Sequence, residues 1–232
     1  MRKIYKIATI IGMIAIISLA WTPYLLGKNV TKNYVNNIGS DNTGYVTKDV
    51  YFSNTQSSNK IAVITGIHPR EKIAIDPMKA AIKNYALNNN IEITDYDIHV
   101  LEDPEDFTVG RFNGEELAAH YIVPDIKKSD YMMVIIIHAH EQGYGEGFYI
   151  ATPYMDNKSV EMAQNIPNMI PSFRYYKSNQ TTIKSSSAIK VSDPIAESGT
   201  PTFVYEIPEE STVENATDMT NILLDAFRKE IT

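Results

Sequence analysis

His68 and Glu71 stand three residues apart in Gly66-Ile67-His68-Pro69-Arg70-Glu71, directly after the apolar run that begins at Lys60. An imidazole and a carboxylate in a loop at a strand end can offer two ligands to one metal ion. Zinc accepts His nitrogen and Glu oxygen, and its catalytic sites combine three protein ligands with one open position. Two other segments carry groups of the same kind: His138-Ala139-His140 after YMMVIII, and Glu206 within TFVYEIP. Metal-assisted hydrolysis is the chemistry such a set suits. The 232 residues include no cysteine, which excludes disulfides, thiolate metal sites and cysteine nucleophiles. Any metal must therefore be held by imidazole and carboxylate groups.

These groups need strands to position them, and the sequence supplies candidates. Residues 60–67 (KIAVITGI) read as a buried strand, and residues 131–137 (YMMVIII) as another, ending at His138. Residues 45–52, 91–101, 148–152 and 202–207 read as further strands. Helices are expected from Asp76-Pro77 to about Leu87, over Glu115–Tyr121, over Ser159–Asn165 and over Ser211–Lys229. Asp76 and the Ser211…Glu214 capping box are the expected N-termini of the first and last. Residues 54–59 read as a turn and 177–187 as a surface loop. Apolar strand runs alternating with helices imply α/β architecture: three α/β/α layers around a mostly parallel mixed sheet. In such sheets ligands bind at the C-terminal strand ends, where His68, His138 and Glu206 all fall.

At this point three islands in order, GIHPRE, a His closing a buried strand, and TFVYEIP, resemble the zinc carboxypeptidase A family. The resemblance spans residues 66–208 and implies a zinc-carboxypeptidase-like fold and one Zn2+ per chain. His68, Glu71 and His138 would hold the ion, and Glu206 would act as general base beside activated water. His140 competes with His138, since side chains two apart on a strand share a face; as a non-ligand it would contact substrate. The family reads a substrate carboxylate with arginine, whose fork suits bidentate pairing. Arg111 is the first candidate, with Asn113 beside it, and the same cation would stabilise the oxyanion; Arg70 and then Arg174 follow. Tyr144 and Tyr149 stand within possible reach of a substrate. Two departures count. Ile136 occupies a position that is usually acidic in the family. The short spacing from Glu71 to His138 is closer to the related succinylglutamate desuccinylase and aspartoacylase-type amidohydrolases, so the expected substrate is a peptide or an acylated amino acid. The competing expectation is a catalytically silent envelope protein that binds peptide or metal.

Arg2, Lys3 and Lys6 precede the apolar stretch 7–26, about enough to span a bilayer. Residues 1–27 therefore read as an uncleaved signal-anchor, with a cleaved signal peptide as the alternative. Residues 28–44, rich in Asn and Gly, read as a polar linker, and 45–232 as the hydrolase domain. This predicts an extracytoplasmic domain held to the membrane by its N-terminal helix, or secreted. The formal charge of −7 argues against nucleic-acid partners. Sequons at Asn29, Asn157, Asn179 and Asn215 carry little weight in so Asn-rich a chain.

Overall fold

The computed structural model describes residues 34–53, 57–177 and 184–231. The expected signal-anchor therefore lies outside the described residues, and no described helix is long and apolar enough to cross a membrane. Eight strands form one sheet: β1 (Tyr34–Ser40), β2 (Gly44–Tyr51), β3 (Lys60–Thr65), β4 (Glu92–Val100), β5 (Met133–His140), β6 (Tyr149–Thr152), β7 (Arg174–Lys177) and β8 (Thr202–Pro208). Their order is β1-β2-β4-β3-β5-β8-β6-β7. The centre, β4-β3-β5-β8, is parallel throughout. The β1-β2-β4 side is antiparallel, as is the pairing of β6 with β8.

β3 and β5 are the innermost strands and read as continuous apolar runs because helices cover both their faces. Side chains alternate along each strand, so one sequence feeds two cores. Ile61, Val63, Ile135 and Ile137 pack with α1 (Asp76–Asn88), α4 (Asn157–Met169) and α6 (Val213–Glu230). Ala62, Ile64, Val134 and Ile136 pack against the other layer, α2 (Phe107–Leu117), α3 (Val123–Ile126) and α5 (Asp193–Glu197). Burying one such Ile or Val contributes roughly 1.5–3 kcal/mol.

Several elements differ from the sequence reading. Tyr34–Ser40, expected as linker, is edge strand β1, so the folded unit begins before residue 45. The helix expected over Glu115–Tyr121 starts at Phe107, where the Asp106 side chain accepts from the backbone N–H of Thr108 and Val109. It continues through a π-helical turn, Ala118–Ile122, into α3. A second π-helical turn, Ala188–Ser192, precedes α5. Each leads into a proline, Pro124 or Pro194, which has no N–H to give the preceding turn. Thr212 rather than Ser211 caps α6, accepting from the N–H of Asn215. Asp76 sits inside the first turn of α1 rather than capping it.

The α1 face also buries charge. Asp49 on β2 stands opposite Asp95 on β4, with Asp97 two residues further along. All three are buried, and one half-buried lysine, Lys79 of α1, bridges Asp49 at 3.4 Å and also pairs with Asp97. His99 bonds Asp97 at 2.9 Å, and the Thr65 hydroxyl donates to Asp95 Oδ1. Burial tends to raise Asp97, but His99 and Lys79 outweigh it and hold that carboxyl below its usual range. Asp95 lacks such partners, so burial and then the Asp97 charge push it up to about 8. The unfolded chain releases this proton above 3.8, whereas the folded chain keeps it to about 8. Stability from this group is therefore fully present at low pH and is lost as pH rises through that window. Asp95→Asn should flatten this part of the profile by on the order of 1 kcal/mol per pH unit between about pH 5 and 8, read from urea midpoints. Parallel profiles for variant and wild type would remove Asp95 as the cause.

Candidate metal centre

The loop after β3 turns at Gly66, whose φ of +80° is one that only glycine adopts without strain. A Cβ there would also lie 2.5 Å from the Ile98 carbonyl. The turn delivers His68 and Glu71 to the C-terminal edge of the sheet, where β5 delivers His138. One donor atom from each of His68, Glu71 and His138 lies within 4.8 Å of the others, and all three residues are buried. Glu71 Oε1 is 2.6 Å from His68 Nδ1, and Glu71 Oε2 is 3.0 Å from His138 Nδ1. The backbone N–H of Ala139 donates to Glu71 Oε2 and Arg111 Nη1 to Glu71 Oε1. Two imidazoles tilted at 41° with centroids 4.5 Å apart thus aim the same ring atom at one carboxylate. A carboxylate and two imidazole nitrogens form a donor set suited to a divalent metal with an open position.

Burial favours a neutral Glu71, yet the charge and hydrogen bond of His138, then those of His68, outweigh it and hold the carboxyl well below its usual range. His68 is raised: burial opposes its charge, but hydrogen bonds to Glu115 and Glu71 prevail. Glu206 stands opposite His138 in the β5–β8 register. Its carboxyl is pushed up to about 7, chiefly by burial, with His138 opposing and Glu71 adding.

Glu115 is the residue that sequence reasoning missed. It was read only as the start of a helix, but it is buried with Oε1 3.4 Å from His68 Nε2. Both ring nitrogens of His68 face carboxylate oxygens, Nδ1 that of Glu71 and Nε2 that of Glu115; a metal on Nδ1 would leave Nε2 to carry the ring proton, with Glu115 fixing that tautomer. Gly114 makes this approach possible: a Cβ there would lie 1.9 Å from the Ile67 carbonyl. Ser186 donates to Glu115 at 2.7 Å and Lys190 sits 3.4 Å from it. A Gly-Glu pair inside the helix beside the H-x-x-E loop was the available signal.

A cavity of about 530 Å³ opens on this cluster, lined by His68, Glu71, His138 and Glu206 and also by Arg70, Arg111 and His140. The ring of Phe107 lies beneath both guanidiniums, 5.7 Å from Arg70 and 5.2 Å from Arg111. The cluster holds His138 and not His140. The two ring nitrogens of His140 face the carbonyls of Glu141 and Gly147 and pin the turn between them. Asn113 is buried, its amide donating to the Glu102 carbonyl, and does not line the cavity. Arg174 is largely exposed and pairs with Glu146 at 2.7 Å.

No protein-family model matches the sequence, nor does any curated protein. Solved structures do match. A metallo-carboxypeptidase from Burkholderia cenocepacia superposes with a TM-score of 0.59 at 14% identity, over 84% of this chain and 64% of that one. A metallo-carboxypeptidase from Pseudomonas aeruginosa, in complex with (2-guanidinoethylmercapto)succinic acid, superposes at 0.53 and 10% identity over 90% and 66%. The chain has a metallo-carboxypeptidase fold. Cell shape determinant protein Csd4 from Helicobacter pylori, with product bound, superposes at 0.51 and 12% identity over 81% and 55%. The chain thus spans 55–66% of the length of these three structures.

Partners that orient a metal-binding histidine are usually worth about 10–100-fold in affinity. Glu115→Ala should lower the affinity for added divalent metal by that factor in a chelator competition, with His68, Glu71 and His138 unchanged. Unchanged affinity would reduce Glu115 to a buried ion-pair partner of Lys190.

Proposed function

We propose that this chain is a zinc-dependent hydrolase that cleaves an amide bond next to a substrate carboxylate, in a peptide or an acylated amino acid. The observation that carries the reading is the convergence of His68 Nδ1, His138 Nδ1 and Glu71, with Glu206 facing the same cavity. His68, Glu71 and His138 would hold one zinc per chain. Bound zinc supplies Lewis acidity, which makes water nucleophilic near neutral pH. Glu206 accepts the proton of the attacking water at its carboxylate and returns it to the leaving nitrogen, so acid and base are one group used twice. Arg111, already donating to Glu71, places positive charge where the substrate carbonyl becomes negative. Arg70, stacked on the same phenyl ring, lies where a substrate carboxylate can pair with it. His140 shapes the wall by holding the turn from Glu141 to Gly147.

The location of the domain belongs to the same reading. The basic flank and apolar stretch of residues 2–26 support export, with the domain outside the cytoplasm and anchored by that segment. A reporter fusion at the C-terminus, active only outside the cytoplasm, tests it.

Metal analysis of the purified chain should give about one zinc in the wild type and much less in His68→Ala and His138→Ala. Glu206→Gln should keep its zinc and lose about 10²–10⁴-fold in turnover of N-acyl amino acids and dipeptides. Protein that remains metal-free after growth in zinc-replete medium would sink the hydrolase. Zinc-loaded protein on which Glu206→Gln has no effect would leave a metal-binding protein.

A further inference from the structure

Phe112, Glu115 and Glu116 stand at positions i, i+3 and i+4 of α2 and so share one side of the helix. Lys190, in the π-helical turn Ala188–Ser192, fills the seat they form. Its Nζ lies 4.4 Å over the Phe112 ring, 2.8 Å from Glu116 Oε1 and 3.4 Å from Glu115 Oε2. Ser186, four residues earlier, donates to Glu115 Oε1 at 2.7 Å, and the same Oε1 faces His68 Nε2. The neighbours of these two residues point elsewhere: Ser185, Ser187, Ala188 and Ser192 line the cavity, whereas Lys190 does not. One short segment therefore touches the cavity on one side and the partner of a metal-binding histidine on the other.

Glu115 is 2% exposed, and a carboxylate so buried keeps its place only where partners offset its charge. His68 cannot do this alone, because a metal on Nδ1 leaves the ring neutral with one N–H to give. Ser186 adds a hydrogen bond but no charge. Among the described residues, Lys190 is the only lysine or arginine that pairs with Glu115. The two oxygens are thereby divided: Oε1 serves His68 and Ser186, and Oε2 serves Lys190. Rotating the carboxylate would break both sets at once. The turn that carries Lys190 is closed by the Asp193 N–H on the Ala188 carbonyl, five residues back, and Pro194 has no N–H to restore the α-helical pattern. Wide turns of this kind concentrate at functional sites. A bare positive charge near a metal would repel it. Here one ammonium faces two carboxylates, which offset its field, so the orientation it imposes on Glu115 is the larger effect.

We propose that Lys190 is a positioning residue of the metal centre: acting through Glu115, and with Ser186, it holds the His68 ring in the orientation that binds metal. The assignment rests on the zinc reading above and extends it to a group that touches neither the ion nor the cavity. His68 belongs to the β3 loop, Glu115 to α2 and Lys190 to the turn before α5. The geometry of one ligand thus depends on a segment remote in sequence from all three ligands. Since Lys190 does not line the cavity, its removal acts on the metal rather than by taking a contact from substrate.

The test is the zinc affinity of the full chain in competition with a chromogenic chelator, with no substrate present. Lys190→Met keeps an apolar stem over Phe112 and removes the charge. It should weaken zinc binding about 5-fold or more, short of the full 10–100-fold range expected for Glu115 itself. Ser186→Ala should act in the same direction and by less. Lys190→Arg, which keeps the charge, should bind zinc within about 2-fold of wild type. In a Glu115→Ala background, Lys190→Met should add less than about 2-fold, because two changes on one route do not add. A salt bridge that merely stabilises the fold would lower the Tm of the metal-free chain and leave zinc affinity intact. Lys190→Met that binds zinc as tightly as wild type, or more tightly, therefore overturns the assignment alone. Equal loss with and without Glu115 overturns it too. Wild type that binds no zinc overturns the hydrolase reading, and this assignment with it.

Discussion

The carboxylate of Glu71 is the point on which the rest of the structure converges. It is buried, and holding it ionised requires His68 on one oxygen, His138 and the Ala139 N–H on the other, and Arg111 reaching in from α2. An isolated carboxylate in this position would cost several kcal/mol or take up a proton. The four partners come from three elements: the β3 loop, the end of β5 and the helix that starts at Phe107. The three elements are therefore bound to one another through a single charge. A metal ion in the same place would take over the role that the imidazoles and the guanidinium play in compensating it.

That arrangement constrains the backbone around it. The left-handed turn at Gly66 and the contact of Gly114 on the Ile67 carbonyl bring α2 close enough for Glu115 to reach the far nitrogen of His68. The acidic cluster on the opposite face shows what happens without such compensation. Three carboxylates there share one lysine, and Asp95 is pushed towards its neutral form. On the site face, each carboxylate that must stay charged has imidazole, guanidinium or ammonium beside it. Glu206 is the exception, and its raised carboxyl follows from burial with only partial compensation.

The sequence was most legible where local pattern and global role coincide. Strands β3, β5 and β8 appear as apolar runs because both their faces are covered, and the H-x-x-E pair is local enough to recognise without a fold. Strand β1 was read as linker because Asn36, Asn37 and Gly39 carry no apolar period, and an edge strand needs none. The start of α2 was hidden by Phe107, Val109 and Phe112, which are exposed, and by Gly110 and Gly114, which usually weaken helices. Glu115 was invisible as a metal-centre residue because its role depends on a contact 47 positions away. The choice between His138 and His140 depends on how far β5 runs. It extends through both, and the second is drawn off by the carbonyls of Glu141 and Gly147.

The cavity is polarised along the sheet, and this asymmetry gives a bound substrate two distinguishable ends. Arg70 and Arg111 share the face of one phenyl ring on the α2 flank, so cations gather where the β3 loop meets the helix. Across Glu206 the wall is Tyr149 and Tyr176 over a floor of Val204, Ala151 and Ile136. Glu141 and Glu209 line the cavity as well; burial, then the charges of Glu141 and Glu71, raises Glu209 above its usual range. Negative charge at one side, paired cations on a second and neutral donors over an apolar floor on the third leave few orientations that avoid an unpaired charge. In the proposed reaction, orientation of this kind would convert binding energy into reactivity by holding an amide beside Glu206. The polarisation follows from strand register and one helix contact.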